Sequence, residues 1–308
     1  MNSIIRITFF SFFIFFHFHI LSAQTSEELY NQGINKSLSS NFQEAITDFS
    51  NAIKLKPDYI DAFLFRAITY DKLEKYQKAI DDFSTVIALQ PNAADAYYNR
   101  GMVYEKLSKF KEAINDYSKT AELNPQFIQA YLKRATANES LLKLDAAIED
   151  YKIINQLAPK YKNAYFNLGV IYDEQEEYAS AIDNYSKAIS LDSNYTDAYY
   201  NRANDFELIS KTELALKDFA KAIAIDSTFT DAYFNRAFIY NENQEYEKAI
   251  QDYSKVIQFQ KDADDAYYNR GLAKVASGKK KEGCIDVKKA AEMGDEVAKE
   301  YCKQNCEE

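Results

Sequence analysis

Apolar and small residues recur along this chain in paired short stripes. Within residues 94–127, Tyr97, Gly101 and Tyr104 form one stripe, and Phe110, Ala113, Tyr117 and Thr120 form a second. Spacings of three, four and seven place each set on one face of a helix. The segment therefore predicts two antiparallel helices. Gly101 and Ala113 are small where the helices must approach closely, and Pro125 sits just past the second helix, which it cannot continue. The pattern repeats every 34 residues, as Pro57, Pro91, Pro125 and Pro159 mark. Ala45, Ala79, Ala113, Ala147, Ala181, Ala215 and Ala249 keep the same period, with Gly283 in the eighth place, and Gly33, Gly101, Gly169 and Gly271 differ by multiples of it. Self-similarity at a fixed period is the signature of a repeat architecture.

Eight units follow from this register: 26–59, 60–93, 94–127, 128–161, 162–195, 196–229, 230–263 and 264–297. Neither helix of a unit can bury its stripe alone, so the expected fold is an all-α solenoid in which stacked units share a continuous core. Residues 298–308 are expected to complete a C-terminal capping helix, because the open end of a solenoid has to be covered.

In unit coordinates, position 4 is Leu29, Phe63, Tyr97, Tyr131, Tyr165, Tyr199, Tyr233 and Tyr267, position 8 is always Gly or Ala, and position 24 is Phe, Tyr or, in the last unit, Val287. This pattern resembles the tetratricopeptide repeat family over residues 26–297. The resemblance implies a right-handed superhelix of helix-turn-helix repeats that binds a protein or peptide on its concave face. The chain departs from the family pattern in losing Pro at position 32 after Pro159, where Ser193, Ser227, Lys261 and Asp295 follow. The carboxylate clamp of co-chaperone repeats, which needs Lys at position 5 and Asn at position 9, is not expected: no unit has the Lys, and only Asn204 supplies the Asn.

Position 7, usually apolar in that family, is Arg66, Arg100, Arg134, Arg202, Arg236 and Arg270, while position 23 is Asp82, Asp116, Asp150, Asp218, Asp252 and Asp286. In the fifth unit the Arg becomes Leu168 and the Asp becomes Asn184, so both charges vanish together. An ion pair within each repeat is expected, with the Arg stem on aromatic neighbours and its fork on the carboxylate. The first unit, with Gln32 and Asp48, does not follow the rule.

Family geometry implies that the first helices line the groove. There position 6 supplies Asn99, Asn167, Asn201, Asn235 and Asn269, and position 5 supplies Tyr98, Phe166, Tyr200, Phe234 and Tyr268; Tyr30 and Asn31 stand at the same places in the first unit. A row of primary amides both donates to and accepts from an extended backbone, so these residues are the expected peptide-binding groove. Asn is also common at this place in the family, and local hydrogen bonding is the competing account of the row. Acids at position 2 (Asp61, Asp95, Asp197, Asp231, Asp265) and position 12 (Asp71, Glu105, Glu139, Asp173, Glu207) flank the row and favour a neutral or basic segment.

Composition narrows the remaining chemistry. The only histidines, His17 and His19, lie in an apolar run from Ile7 to Leu21. That run follows Arg6 and precedes Ser22-Ala23, the layout of a signal peptide over residues 1–23; an uncleaved N-terminal anchor is the alternative. The expected protein is thus exported, periplasmic or secreted, without membrane insertion after cleavage. A mature chain without His excludes His-based triads and nearly all His-containing metal sites. No phosphate-binding glycine loop, G-x-S-x-G elbow or C-x-x-C is present, so no catalytic residue, metal or cofactor is expected. Without Arg6, 36 basic residues face 47 acidic ones, a poor match to nucleic acid. A protein or peptide partner and a monomeric state are expected. The alternative is a structural part of a cell-envelope assembly acting through self-association or end docking.

Cys284, Cys302 and Cys306 cluster at the C-terminus. Cys302 and Cys306 share one helical face, and either can reach Cys284 on the preceding helix; three reduced thiols are the other possibility. The caps of similar exported repeat proteins imply the Cys284–Cys306 pairing.

Overall fold

The computed structural model describes residues 24–306; the expected signal peptide over 1–23 lies outside the described residues. Among these there are seventeen α-helices and no strand. The chain divides into two compact units, one ending at Val103 and one beginning at Tyr104.

The first unit holds α1 (Ser26–Leu38), α2 (Phe42–Leu55), α3 (Ile60–Lys72), α4 (Tyr76–Leu89) and most of α5 (Ala94–Lys106). Thr25 and Glu28 close a capping box at its start: the Thr25 hydroxyl accepts from the Glu28 amide and the Glu28 carboxylate accepts from the Thr25 amide, which satisfies two otherwise orphaned donors. Second helices carry the strongest apolar stripe, seen on α2 as buried Ala45, Ile46, Phe49 and Ala52. Gly33 on α1 lies against the Phe49 ring, where an added Cβ would stand 2.6 Å from a ring carbon. The small residue at position 8 is thus what lets the aromatic residue at position 24 seat between paired helices.

The second unit holds α6 (Phe110–Leu123), α7 (Ile128–Glu139), α8 (Leu144–Leu157), α9 (Lys162–Glu174), α10 (Tyr178–Leu191), α11 (Thr196–Leu208), α12 (Thr212–Ile225), α13 (Thr230–Glu242), α14 (Tyr246–Phe259), α15 (Asp264–Ala276), α16 (Lys280–Met293) and α17 (Glu296–Asn305). Each helix packs on the next in sequence, and α9 also touches α11 as α13 touches α15. First helices are therefore side by side on one face. Behind them Tyr117, Tyr151, Tyr185, Phe219 and Tyr253 are fully or almost fully buried.

Every pair of helices is joined through a residue at position 15 with left-handed backbone. Seven of these are not glycine: Ser40, Glu74, Ser108, Leu142, Glu176, Ser210 and Gln244, with φ between 55° and 63°. The next amide then turns back onto the preceding helix, as Lys143 N does to the Asn138 carbonyl at 2.9 Å, the six-to-one bond that closes a helix C-terminus. Between units, the bend that proline fixes in the first half is held differently in two later places. Asp192 Oδ1 accepts from the Asn194 amide and Asp226 Oδ1 from the Thr228 amide, both at 2.9 Å, an Asx turn that does the work of the missing ring.

At the C-terminus, Gly294 turns the chain at φ 116°, and Asp295 caps α17 by accepting from the Val297 and Ala298 amides. Helix α17 covers Val287 and Ala290 with Ala298 and Tyr301. A disulfide joins Cys284 to Cys306, and Cys302 is half-buried beside Val287 and Ala290.

Leu142 combines left-handed backbone with a side chain 84% exposed, so its branched body costs the fold without burying anything. Leu142→Gly is expected to raise the unfolding free energy by about 0.5–1 kcal/mol, measured by urea denaturation of the full chain; a lower midpoint would contradict this account of the turns.

Candidate functional site

The arginines at position 7 sit on first helices and point into the contact with the second helix of their own unit. The shortest nitrogen-to-oxygen distances are 2.7 Å for Arg66–Asp82, 2.5 Å for Arg134–Asp150, 2.7 Å for Arg202–Asp218, 2.7 Å for Arg236–Asp252 and 2.8 Å for Arg270–Asp286. All five are bidentate through Nε and Nη2 to the two carboxylate oxygens, the fork geometry that lysine cannot make. Arg100 and Asp116 fall on either side of the boundary between the two compact units. Each guanidinium also lies within 6 Å of an aromatic ring centroid, Tyr199 and Phe206 for Arg202. Burial is costly even so, and it pushes the Asp150 carboxyl above its ordinary range against the pull of Arg134.

One partner of the fork is not visible in the Arg–Asp pattern. The remaining nitrogen, Nη1, donates to the serine at position 25 of the preceding repeat: Arg66 to Ser50, Arg100 to Ser84, Arg134 to Ser118, Arg202 to Ser186 and Arg270 to Ser254, at 2.8–3.0 Å. Arg236 faces Ala220 at this place. Before Leu168 the residue is Lys152, so the serine disappears with the arginine. In the first unit Asp48 is met by Lys36 at 2.8 Å, one helical turn beyond Gln32. Lys274, the equivalent lysine in the last unit, joins Arg270 on Asp286 at 2.7 Å.

The asparagine row is held from behind. Asn167 Nδ2 donates to the Tyr151 hydroxyl at 2.9 Å and Asn201 Nδ2 to the Tyr185 hydroxyl at 3.5 Å. Asn235 Nδ2 donates to Asn204 Oδ1 at 2.9 Å and to the Tyr200 hydroxyl at 3.2 Å. Asn99 and Asn269 instead donate to backbone carbonyls one turn earlier, those of Asp95 and Asp265. Each amide therefore spends donor capacity inside the protein, and none of these six contacts uses its carbonyl oxygen. The tyrosines in turn lean on acids at position 12. Tyr117 donates to Glu105 at 2.7 Å, and burial followed by the neighbouring Glu139 drives the Tyr151 phenol above its usual pKa.

The position 5 rings lie over aromatic residues of the turn that ends the same unit. Phe166 is 4.9 Å from Tyr195 and Tyr200 is 4.9 Å from Phe229, centroid to centroid; Phe234 meets Tyr253 edge-on at 5.4 Å, and Tyr268 meets Tyr301 of the cap at 6.3 Å. Tyr98 and Asn99 are half-buried on α5. Between α11, α13 and α15 the face dips into a cleft of about 230 Å³ lined by Tyr200, Phe234, Asn235, Gln260, Asp231 and Asp265 among others, with no Lys or Arg in its wall. Among the described residues there is no group of three or more His, Cys, Asp or Glu able to hold a metal ion, and no helix long and apolar enough to cross a membrane.

Comparison with known proteins agrees with this geometry. Sequence profiles described as "Tetratricopeptide repeat" match residues 94–127, 163–195 and 219–251, and one described as "TPR repeat" matches 69–108 and 239–278. Among solved structures, the C-terminal part of a TPR repeat-containing protein from Cytophaga hutchinsonii superposes with a TM-score of 0.70 at 18% identity, covering 78% of this chain and 98% of that one. MamA is similar at 27% identity and a TM-score of 0.52, over 56% of this chain and 94% of its own. YrrB, described as a TPR protein with an unusual peptide-binding site, is similar at 21% identity and a TM-score of 0.53, over 60% and 95%. No curated protein matches the sequence.

The fork makes a specific demand on paired substitutions. Asp218 is almost buried beside Arg202, so Arg202→Leu strands a carboxylate and is expected to lower stability by about 3 kcal/mol. Adding Asp218→Asn reproduces the Leu168/Asn184 combination and is expected to restore all but about 1 kcal/mol. Urea unfolding of the two variants decides it; a double variant no more stable than the single one rules out the pair as the source of the loss.

Proposed function

Because this chain belongs to the tetratricopeptide repeat family, whose fold serves as a scaffold for protein interactions, we propose that it acts without catalysis by binding an extended basic peptide segment along its first helices. The observation that carries this reading is the cleft between α11, α13 and α15. Its walls are the rings of Tyr200 and Phe234, its rim holds the exposed carboxylates of Asp231 and Asp265, and the Asn235 amide stands between them. A lysine or arginine side chain fits that combination, with its methylene stem on the rings and its charge between the acids. Asn201 and Asn235 have carbonyl oxygens left to accept from a peptide backbone, while their held NH2 groups fix the orientation of those oxygens before any ligand arrives. Export across a membrane accompanies this reading, supported by the layout of residues 1–23 and by the Cys284–Cys306 disulfide, a bond that persists in oxidising compartments.

The test uses the full chain and a labelled, extended Gly/Ser peptide carrying lysines, compared with the same peptide carrying glutamates. Fluorescence anisotropy is expected to show binding of the lysine peptide only, weakening as salt rises. Asp231→Asn with Asp265→Asn is expected to reduce affinity about tenfold, and Asn201→Ala with Asn235→Ala to reduce it further. Equal binding of both peptides, or affinity untouched by all four substitutions, would overturn the proposal.

A further inference from the structure

Asp205 breaks the pattern of its position. At the tenth place of the other units stand Asn35, Thr69, Val103, Ala137, Ile171, Ile239 and Ala273; on α11 a carboxylate takes that place and is completely buried. Neither of its oxygens receives a hydrogen bond from any donor. Helix α9 touches α11, and the group it sets beside Asp205 is a second carboxylate, that of Asp173.

The surroundings supply no counter-charge. From α10, Tyr178 and Tyr185 lie close enough to be influenced by Asp205, and Tyr185 also feels Asp173 and Glu174. The Tyr185 hydroxyl is occupied by Asn201, one turn before Asp205 on α11. From α12, Asp218 is held by Arg202, and from α13 the neutral Asn235 reaches Asn204 instead. Two like charges in such contact cannot both persist when one is fully desolvated.

We propose that Asp205 and Asp173 share one proton, carried by Asp205 and donated to an Asp173 oxygen, and that this proton latches α9 to α11, the contact loosening when it is lost. The bond formed is O–H···O between the two carboxyl groups; on ionisation the proton passes to solvent and leaves two anions facing each other. Burial, followed by the Asp173 charge and hydrogen bond, pushes the Asp205 carboxyl up to about 8, against about 4 in an unfolded chain. The folded state therefore binds the extra proton between these values. Stability falls as pH rises through that window and is level above about 8. The phenol of Tyr185 and the Asn201 amide lie on the same contact, so the latch stands directly behind the asparagine row. The proposal does not depend on what that row binds.

The test is made on the full chain without any ligand. In a ¹³C titration of side-chain carboxyls, the resonance that disappears in Asp205→Asn is expected to have a midpoint near 8 in the unsubstituted protein, and to move down by more than about one unit in Asp173→Asn. A midpoint near 4, or one that Asp173→Asn leaves in place, overturns the shared proton. Amide exchange across α9 and α11, compared between the unsubstituted protein and Asp205→Asn at the same pH so that intrinsic rates cancel, is expected to be about tenfold faster in the former above pH 9 and more nearly equal near pH 5. Equal rates at both pH values overturn the latch.

Discussion

The arginine fork at position 7 is the interaction on which the described architecture turns. Burial of apolar area between stacked helix pairs is non-directional, and in that sense indifferent to the angle at which they meet. A planar guanidinium is not. By presenting Nε and Nη2 to an aspartate of its own unit and Nη1 to a serine of the unit before, it fixes the angle within one pair and the register to the next at once. The aromatic rings on either side exclude water from the fork and give the charge a favourable face. The family's usual apolar residue at this place supplies packing; this chain adds direction.

The same economy explains the face formed by the first helices. A row of exposed amides would wander among rotamers unless something held it, and here the buried tyrosines of the preceding second helices do so for Asn167 and Asn201. The Tyr151 hydroxyl, which needs a partner once buried, finds it in the Asn167 amide on one side and in Glu139 of position 12 on the other. Core and surface are thus joined by hydrogen bonds at these places, and Asp205 lies close enough to Asp173 and Tyr185 to act on them.

Much of this was legible in the residues. A period kept over eight units overdetermines the helix pairs, and the joint change of Leu168 and Asn184 pointed to an arginine partner. Other contacts were hidden for physical reasons. Ser50, Ser84, Ser118 and Ser186 look like ordinary solvated positions of amphipathic helices, since only the third dimension shows that the next unit's arginine descends onto them. Lys36 reaches Asp48 from one turn along, a substitution of reach for position that no single column reveals. Asp205 is one acid among 47 in a chain rich in them, and nothing in its spacing distinguishes a buried carboxyl from a solvated one. For the cysteines, helical spacing left Cys302 and Cys306 equivalent, and the structure joins Cys306 to Cys284.

The lapse of the fork at Leu168 has a consequence for how the molecule behaves as a line of coupled elements. In such an array, folding at one unit is passed to the next through the energy of their shared interface. Across the junction of α8 and α9, the triple Lys152, Leu168 and Asn184 removes the serine, the arginine and the aspartate together, leaving buried apolar residues such as Ile154 and Leu168 and the neutral hydrogen bond from Asn167 to the Tyr151 hydroxyl. Apolar contact weakens on cooling and is not screened by salt as ion pairs are, while the forked junctions carry charge. One seam in the array thus lacks every charged part of the fork, and it answers to temperature and solvent differently from the seams that keep it.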